Sequence, residues 1–378
     1  MKKLIFILLT AHALLFTIHS IAQPCLPEGI IFSTQTQIDN FQINYPGCTE
    51  IEGDVVIHGV DITNLNGLNV LTTIGGNLII RSNEVLTNLH GLNSLDTVYG
   101  SWTADSSLVI MDNPALTSLQ GLENLDYVGS FGLEINNNDA LTSLTGLEGL
   151  STLNINLTIA NNDALSSLTG LDNLDSIKGY YWWNGGLAII NNDALVNLEG
   201  LENLTAITYS DIGYKGGVFI CNNDNLSSLN GIEYLEFIDL TIVENPLLSE
   251  CNVKSICEHL IGPIWSIDIH DNAPGCNSKE ELEEACAQSV GDISVISNLS
   301  IYPNPFSNTI TIGFELKQPE IVTITIYNHL GKQAEVIKKN QSQGRQEIIW
   351  NAENLPAGVY FCVLKTNKGM QSIKMIKL

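Results

Sequence analysis

The stretch NNDALTSLTGLEGL from Asn137 returns almost unchanged as NNDALSSLTGLDNL from Asn161, NNDALVNLEGLENL from Asn191 and NNDNLSSLNGIEYL from Asn222. Aligned on the glycine of the L-x-G-L phrase, the copies fall at Gly67, Gly91, Gly121, Gly146, Gly170, Gly200 and Gly231, separated by 24, 30, 25, 24, 30 and 31 residues. A unit of about 24 residues cannot bury its own leucines and is stable only when stacked on its neighbours. The repeat therefore predicts a solenoid, with insertions in the longer units.

Before each later glycine lies an alternating apolar pair followed by asparagine: Leu78, Ile80, Asn83; Leu108, Ile110, Asn113; Leu133, Ile135, Asn138; Leu157, Ile159, Asn162; Leu187, Ile189, Asn192; Val218, Ile220, Asn223. Period two marks a short strand with one buried face. The pattern continues at Leu240, Ile242, Asn245 and at Ile267, Ile269, Asn272, and begins imperfectly at Val55 and Ile57. Leu141, Leu144, Leu147, Leu150 and Leu153 are spaced by three, but Gly146 and Gly149 argue for tight turns around a shared core rather than a helix. A buried asparagine column is expected to bond its own turn and the next rung, because the amide both donates and accepts. The aspartates that follow (Asp139, Asp163, Asp193, Asp224) invite a calcium reading. Pro114 and Pro246 stand in that column in two rungs, however, so no metal or cofactor is expected.

Charge divides the chain. Residues 23–298 hold five basic and 36 acidic residues, whereas the segment from Leu299 holds nine basic and five acidic. So acidic a body repels phosphate backbones, which excludes nucleic acid as an expected partner. Residues 1–22, with Lys2, Lys3, an apolar run and Ser20-Ile21-Ala22, read as a signal peptide. No transmembrane segment is expected in the mature chain, and Pro24 before Cys25 argues against a lipid anchor. The expected divisions are a cap at 23–54, solenoid repeats at 55–250, a final rung and disulfide cap at 251–286, a linker at 287–298 and a tail at 299–378.

Eight cysteines fit an oxidising compartment. Cys25 and Cys48 bracket the start of the solenoid, and Cys251, Cys257, Cys276 and Cys286 crowd its end. The last four permit three pairings; Cys251 with Cys276 and Cys257 with Cys286 is preferred. Cys221 and Cys362 read as unpaired.

The pattern L-x-I-x-x-N followed by L-x-x-L-x-G-L-x-x-L-x-x-I resembles the receptor L domain over roughly Val55 to Asn272. The resemblance implies a right-handed solenoid resembling a β-helix, with binding on surface positions rather than in a catalytic cleft. From Leu299 the chain becomes alternating strands broken by Pro, Asn and Gly, which predict a small antiparallel, immunoglobulin-like β-sandwich. Pro303, Asn304 and Pro305, the Leu330-Gly331-Lys332 turn, the phrase LPAGVY with Gly358 and Tyr360, and the terminal run containing Lys374 and Lys377 resemble the C-terminal sorting domain of type IX secretion. That resemblance implies the type IX machinery as a partner, a Gram-negative cell, passage through the periplasm, and secretion or surface attachment. The fold class expected is thus mainly β.

The function expected is non-enzymatic binding or adhesion; the alternative is a structural envelope or matrix protein without a specific ligand, and a polysaccharide-acting enzyme is expected less than either. The five basic residues of the body (Arg81, Lys178, Lys215, Lys254, Lys279) are scattered, the acids occupy repeated turn columns, and His58, His90, His259 and His270 lie in separate units. The long units place their extra residues before the next L-x-I strand, as YGSWTADSS, GYYWWNGG and YSDIGYKGG. Insertions at one phase of a solenoid emerge along one edge. Trp102, Tyr180, Tyr181, Trp182, Trp183, Tyr209 and Tyr214 are therefore the candidate surface for a glycan or protein ligand. The alternative is that these rings cover the solenoid's own apolar side. A hydroxyl column, Thr117, Ser118, Thr142, Ser143, Ser166, Ser167, Ser227 and Ser228, reads as the solvated side of a turn.

Overall fold

A computed structural model describes residues 23–101, 106–179, 186–209, 214–261, 266–290, 296–328, 331–366 and 369–378. From residue 23 to 270 the chain winds between two sheets. Sheet A has nine strands, eight of them parallel and a short antiparallel ninth at Tyr214–Lys215, and sheet B has ten parallel strands. In sheet B the repeats stack without slippage: Leu78, Leu108, Leu133, Leu157, Leu187, Val218, Leu240 and Ile267 are successive register partners. A shift of one residue would turn every leucine outward, so burial of one face locks this register. The residues spaced by three, Leu141 to Leu153, are completely buried and turn through the interior, as expected.

The conserved-looking spelling of each repeat has a separate physical cause at each position. The residue that follows each of five central sheet B strands has a left-handed backbone: Asp112, Asn137, Asn161, Asn191 and Asn222 have φ of 53° to 56°. Asn and Asp tolerate that region better than other side chains. The next residue is the ladder asparagine. Asn162 donates from Nδ2 to the carbonyls of Ile135 and Ala160 and to Oδ1 of Asn192, while its own Oδ1 accepts from the backbone N–H and the amide of Asn138. The same bonds repeat from Asn83 to Asn272, in a column at most 9% exposed. The glycine of L-x-G-L also has positive φ; a Cβ on Gly146 would sit 2.2 Å from the carbonyl of Leu119 in the preceding rung.

The ends of the stack are closed. Helices α1 (Gln35–Asp39) and α2 (Phe41–Asn44) lay Ile38 and Phe41 over the first rungs, and Thr34 and Gln37 form a capping box. At the other end lie α3 (Lys254–Ile261) and α4 (Lys279–Val290). Disulfides join Cys25–Cys48, Cys251–Cys276 and Cys257–Cys286, leaving Cys221 and Cys362 as free thiols.

Two boundaries differ from those expected. Residues 23–54 are more than a cap: Gln23–Cys25 pairs with Cys48–Ile51 in sheet A, and Ile30–Phe32 pairs with Val55–Ile57 in sheet B. These rungs lack the ladder asparagine, which hid them, yet Phe32 and Ile51 continue the buried columns. The segment 287–298 is not all linker, because α4 runs to Val290 and a tail strand begins at Ile296, whose side chain is buried in the second core.

The tail packs a three-stranded antiparallel sheet (Ile296–Tyr302, Thr309–Leu316, Gly344–Asn351) on a four-stranded one (Glu320–Asn328, Gln333–Gln341, Gly358–Thr366, Gly369–Lys377) around Phe306, Phe314, Ile324 and Trp350.

Substituting Asn162→Ala strips the acceptor from the buried backbone N–H of Asn138, whose Nδ2 keeps the carbonyls of Ile110 and Asn136, and removes the side-chain donor that serves Ile135, Ala160 and Asn192; each buried group left unpaired costs about 1–3 kcal/mol. The expected loss in denaturant unfolding is about 2–5 kcal/mol, whereas Asp163→Ala, one residue on and exposed, should change stability by less than about 0.5 kcal/mol. Equal effects of the two substitutions would refute the ladder's role.

Candidate functional site

All three insertions leave the end of a sheet A strand and return at the start of a sheet B strand, from Val98 to Leu108, Gly179 to Gly186 and Tyr209 to Gly217. The described ends of all three thus lie at one corner of the solenoid, those of the second and third on adjacent rungs, because Lys178 and Gly179 pair with Thr208 and Tyr209. The third also turns back, pairing Thr208 with Lys215 and Tyr209 with Tyr214. Trp102, Tyr180, Tyr181, Trp182 and Trp183 lie outside the described residues, as do the side chains of Tyr209 and Tyr214.

At the described foot of the first insertion stands an aromatic pair. Tyr99 is 55% exposed, and its ring centroid lies 5.9 Å from that of Tyr127 on the next rung. The Tyr127 hydroxyl accepts a hydrogen bond from Asn154 Nδ2 at 2.9 Å, one rung further. Gly129 makes room for this ring: a Cβ there would come within 2.9 Å of Tyr127 Cε1. Tyr127 was not among the sequence candidates, since it lies in a unit without an insertion; its register partner Thr97, two residues before Tyr99, was the available signal.

Around the corner, the outward side of sheet B carries Ala188, Ile190, Phe219, Cys221 and Val243, all half-buried. The Phe219 ring lies along the backbone of Gly217, where a Cβ would approach it to 2.8 Å. Burial pushes the Cys221 thiol above its ordinary pKa, which keeps it protonated and a poor nucleophile. One acidic column has structural work: Glu123, Glu148, Asp172 and Glu202 each accept the N–H of the glycine two residues before, at 2.8–3.0 Å. The hydroxyl column bonds back to the preceding rung, as Thr117 Oγ1 does to the Thr87 carbonyl and Ser166 Oγ to that of Thr142. Among the described residues, no group of three or more His, Cys, Asp or Glu side chains is arranged to hold a metal ion.

In the tail, the marked residues meet in two places. Asn304 accepts the Ile376 N–H at 2.8 Å and donates to the Lys374 carbonyl at 3.1 Å. Beside it Phe306 N–H bonds the Ile376 carbonyl, Leu378 N–H bonds the Phe306 carbonyl, and the Lys377 ammonium bonds the Ser307 carbonyl. The segment holding Pro303 and Pro305 is thus clasped to the last strand, some 70 residues away. At a second place, Gly331 turns with φ 70°, Lys332 N–H bonds Asn328 Oδ1, and Tyr360 donates to the Pro356 carbonyl at 2.8 Å, next to Gly358. Leu330 lies outside the described residues.

Residues 47–148 and again 132–233 match the receptor L domain, and residues 300–378 match the secretion system C-terminal sorting domain. By these matches the solenoid is of the receptor L domain kind over residues 47–233 and the tail is a secretion sorting domain. No curated protein matches the chain. The two receptor L domain matches overlap because one core runs through both, and the stack continues beyond them to the strand Ser266–His270. The sorting domain marks the protein for export by type IX secretion, to the cell surface or the medium. No helix among the described residues is long and apolar enough to cross a membrane.

The last rung of the solenoid carries one more feature. His270 lies 2.7 Å from Asp271 and 3.5 Å from Asp268, and these contacts raise its pKa above 6.5, the Asp271 hydrogen bond first and the charges of Asp268, Asp271 and Glu244 after it. The stabilisation is therefore complete below the unfolded pKa near 6.5 and fades as pH rises through the higher folded value. An NMR titration should place the His270 midpoint above 6.5, and Asp271→Asn should lower it; a midpoint unmoved by that substitution would contradict the contact.

Proposed function

We propose that the protein is an exported, non-enzymatic binding protein that takes its ligand at the insertion corner. The observation that supports this is that the strand ends flanking all three aromatic-bearing insertions lie at one corner, with exposed Tyr99 and half-buried Tyr127 side by side there. Neighbouring, partly exposed rings tilted at 59° to each other, with a polar amide beside them, suit the faces and hydroxyls of a sugar, or an anchor residue of a protein partner. A non-enzymatic role is supported by the engagement of the acidic column at Glu123, Glu148, Asp172 and Glu202 in capping the solenoid's own turns. Export through the periplasm of a Gram-negative cell is part of this reading, supported by the sorting tail and by the signal-peptide-like sequence of residues 1–22.

A purely structural envelope role is the alternative, and the two part on the same rings. On a glycan array, with whole cells of defined surface composition as a second probe, the chain lacking residues 1–22 should bind. Tyr127→Ala and Trp102→Ala should each weaken binding by about 2 kcal/mol while leaving the melting temperature within a few degrees. Binding that survives both substitutions would remove the corner from consideration, and an absence of any binding would favour the structural role.

A further inference from the structure

We propose that a cavity at one end of the sorting domain receives a segment of the secretion machinery that presents one apolar side chain next to a carboxylate. The proposal rests on the export reading and deepens it by naming the contact surface. The cavity, of about 320 Å³, opens between Asn328, Lys332 and Gln333 on one side and the phrase LPAGVY on the other. Its apolar wall is made by Ala334, Leu355 and Pro356, and Tyr360, buried and tethered through its hydroxyl to the Pro356 carbonyl, holds the loop in place. Such a volume lies at the lower end of the range for ligand pockets, about 300–1,000 Å³. It suits a single anchoring side chain rather than a folded domain.

Gly358 supplies an independent observation. In the solenoid, glycines are enforced by collision, whereas a Cβ at Gly358, where φ is 156°, would meet nothing within 4 Å. The space beside it is part of the cavity, and the missing side chain leaves that space open.

Charge selects the occupant. Lys332 lines the cavity and its side chain is exposed; it makes no ion pair among the described residues. Its main chain is fixed by Asn328, whose Oδ1 accepts its N–H at 2.9 Å. The strand Gln333–Gln341 starts in the cavity wall and is the outermost of its sheet, so among the described residues one edge of its backbone is open. Along it stand Lys338 and Lys339, which also lack ion pairs among the described residues. An open strand edge, unneutralised lysines and an apolar socket together fit an extended acidic segment, bound by main-chain pairing with a side-chain anchor. The clasp of Asn304 to the last strand does not require any of these groups. The sorting domain thus separates residues that close the sandwich from residues available to a partner.

The test uses the full chain in a cell with type IX machinery. Lys332→Glu reverses the charge at an exposed site, and Ala334→Trp fills the socket. Folding of each variant is checked by thermal unfolding of the purified chain. Each folded variant should reach the outside at a level reduced about tenfold or more, and Lys332→Arg should be exported normally. Export of either folded variant at the wild-type level overturns the proposal. If Ala334→Trp does not fold, Lys332→Glu alone decides. Deleting residues 300–378 separates the two readings: if that deletion leaves export intact, the export reading itself fails, and if it abolishes export while both folded variants pass normally, only the cavity proposal falls.

Discussion

The side-chain amide of the ladder asparagine is the interaction on which the body depends. A solenoid must turn its backbone inside its own core at every rung, and each turn strands N–H and carbonyl groups where water cannot reach them. Unsatisfied, each would cost about 1–3 kcal/mol. One amide answers for its own rung and for both neighbours: Asn192 bonds the carbonyls of Ile159 and Ile190 and the Oδ1 of Asn223. Because every amide needs the next, the ladder fixes the direction and spacing of the stack together. It stops where this supply stops. Asn83 Oδ1 has no partner among the described residues, since the preceding rung carries Gly59 and Val60, and at the far end Asn277 accepts the N–H of Asn272.

Around that column the other repeated letters are consequences. The leucines fill the space the ladder encloses, the left-handed residue before each ladder asparagine turns the chain out of sheet B, and the glycine lets one rung lie against the carbonyls of the one before. What remains free to vary is the corner between the sheets. Residues added there disturb neither ladder nor core, so three rungs carry insertions while their strands stay in register. Function is expected where variation is cheap, and that places it on this corner.

The fold was legible wherever a residue type answers to one physical demand. The strands at Leu78 to Ile269, the turns at the glycines, the asparagine ladder and the sandwich of the tail follow from period and spacing alone. The first rungs at Gln23 and Ile30 were not, because they bury Phe32 and Ile51 without the asparagine that marks the others. The helix running to Val290 was hidden by a composition that reads equally as linker. Of the candidate site, the edge was legible from the phase of the insertions. Tyr127 was not, since its place beside Tyr99 comes from cross-rung register. The tail's marked residues were recognisable as a group, but their division into a clasp and a cavity wall depends on which strands lie side by side.

The most direct test of the ladder is native-state hydrogen exchange of the backbone amides of Asn113, Asn138, Asn162, Asn192, Asn223 and Asn245, each of which donates to the side chain of the next asparagine. If the ladder holds the stack together, these amides should exchange only through global unfolding and rank with the slowest in the molecule, level with the sheet B strands. Exchange at the rate of the exposed turn residues beside them, Asp139 or Asp163, would show that the stack stands without the ladder.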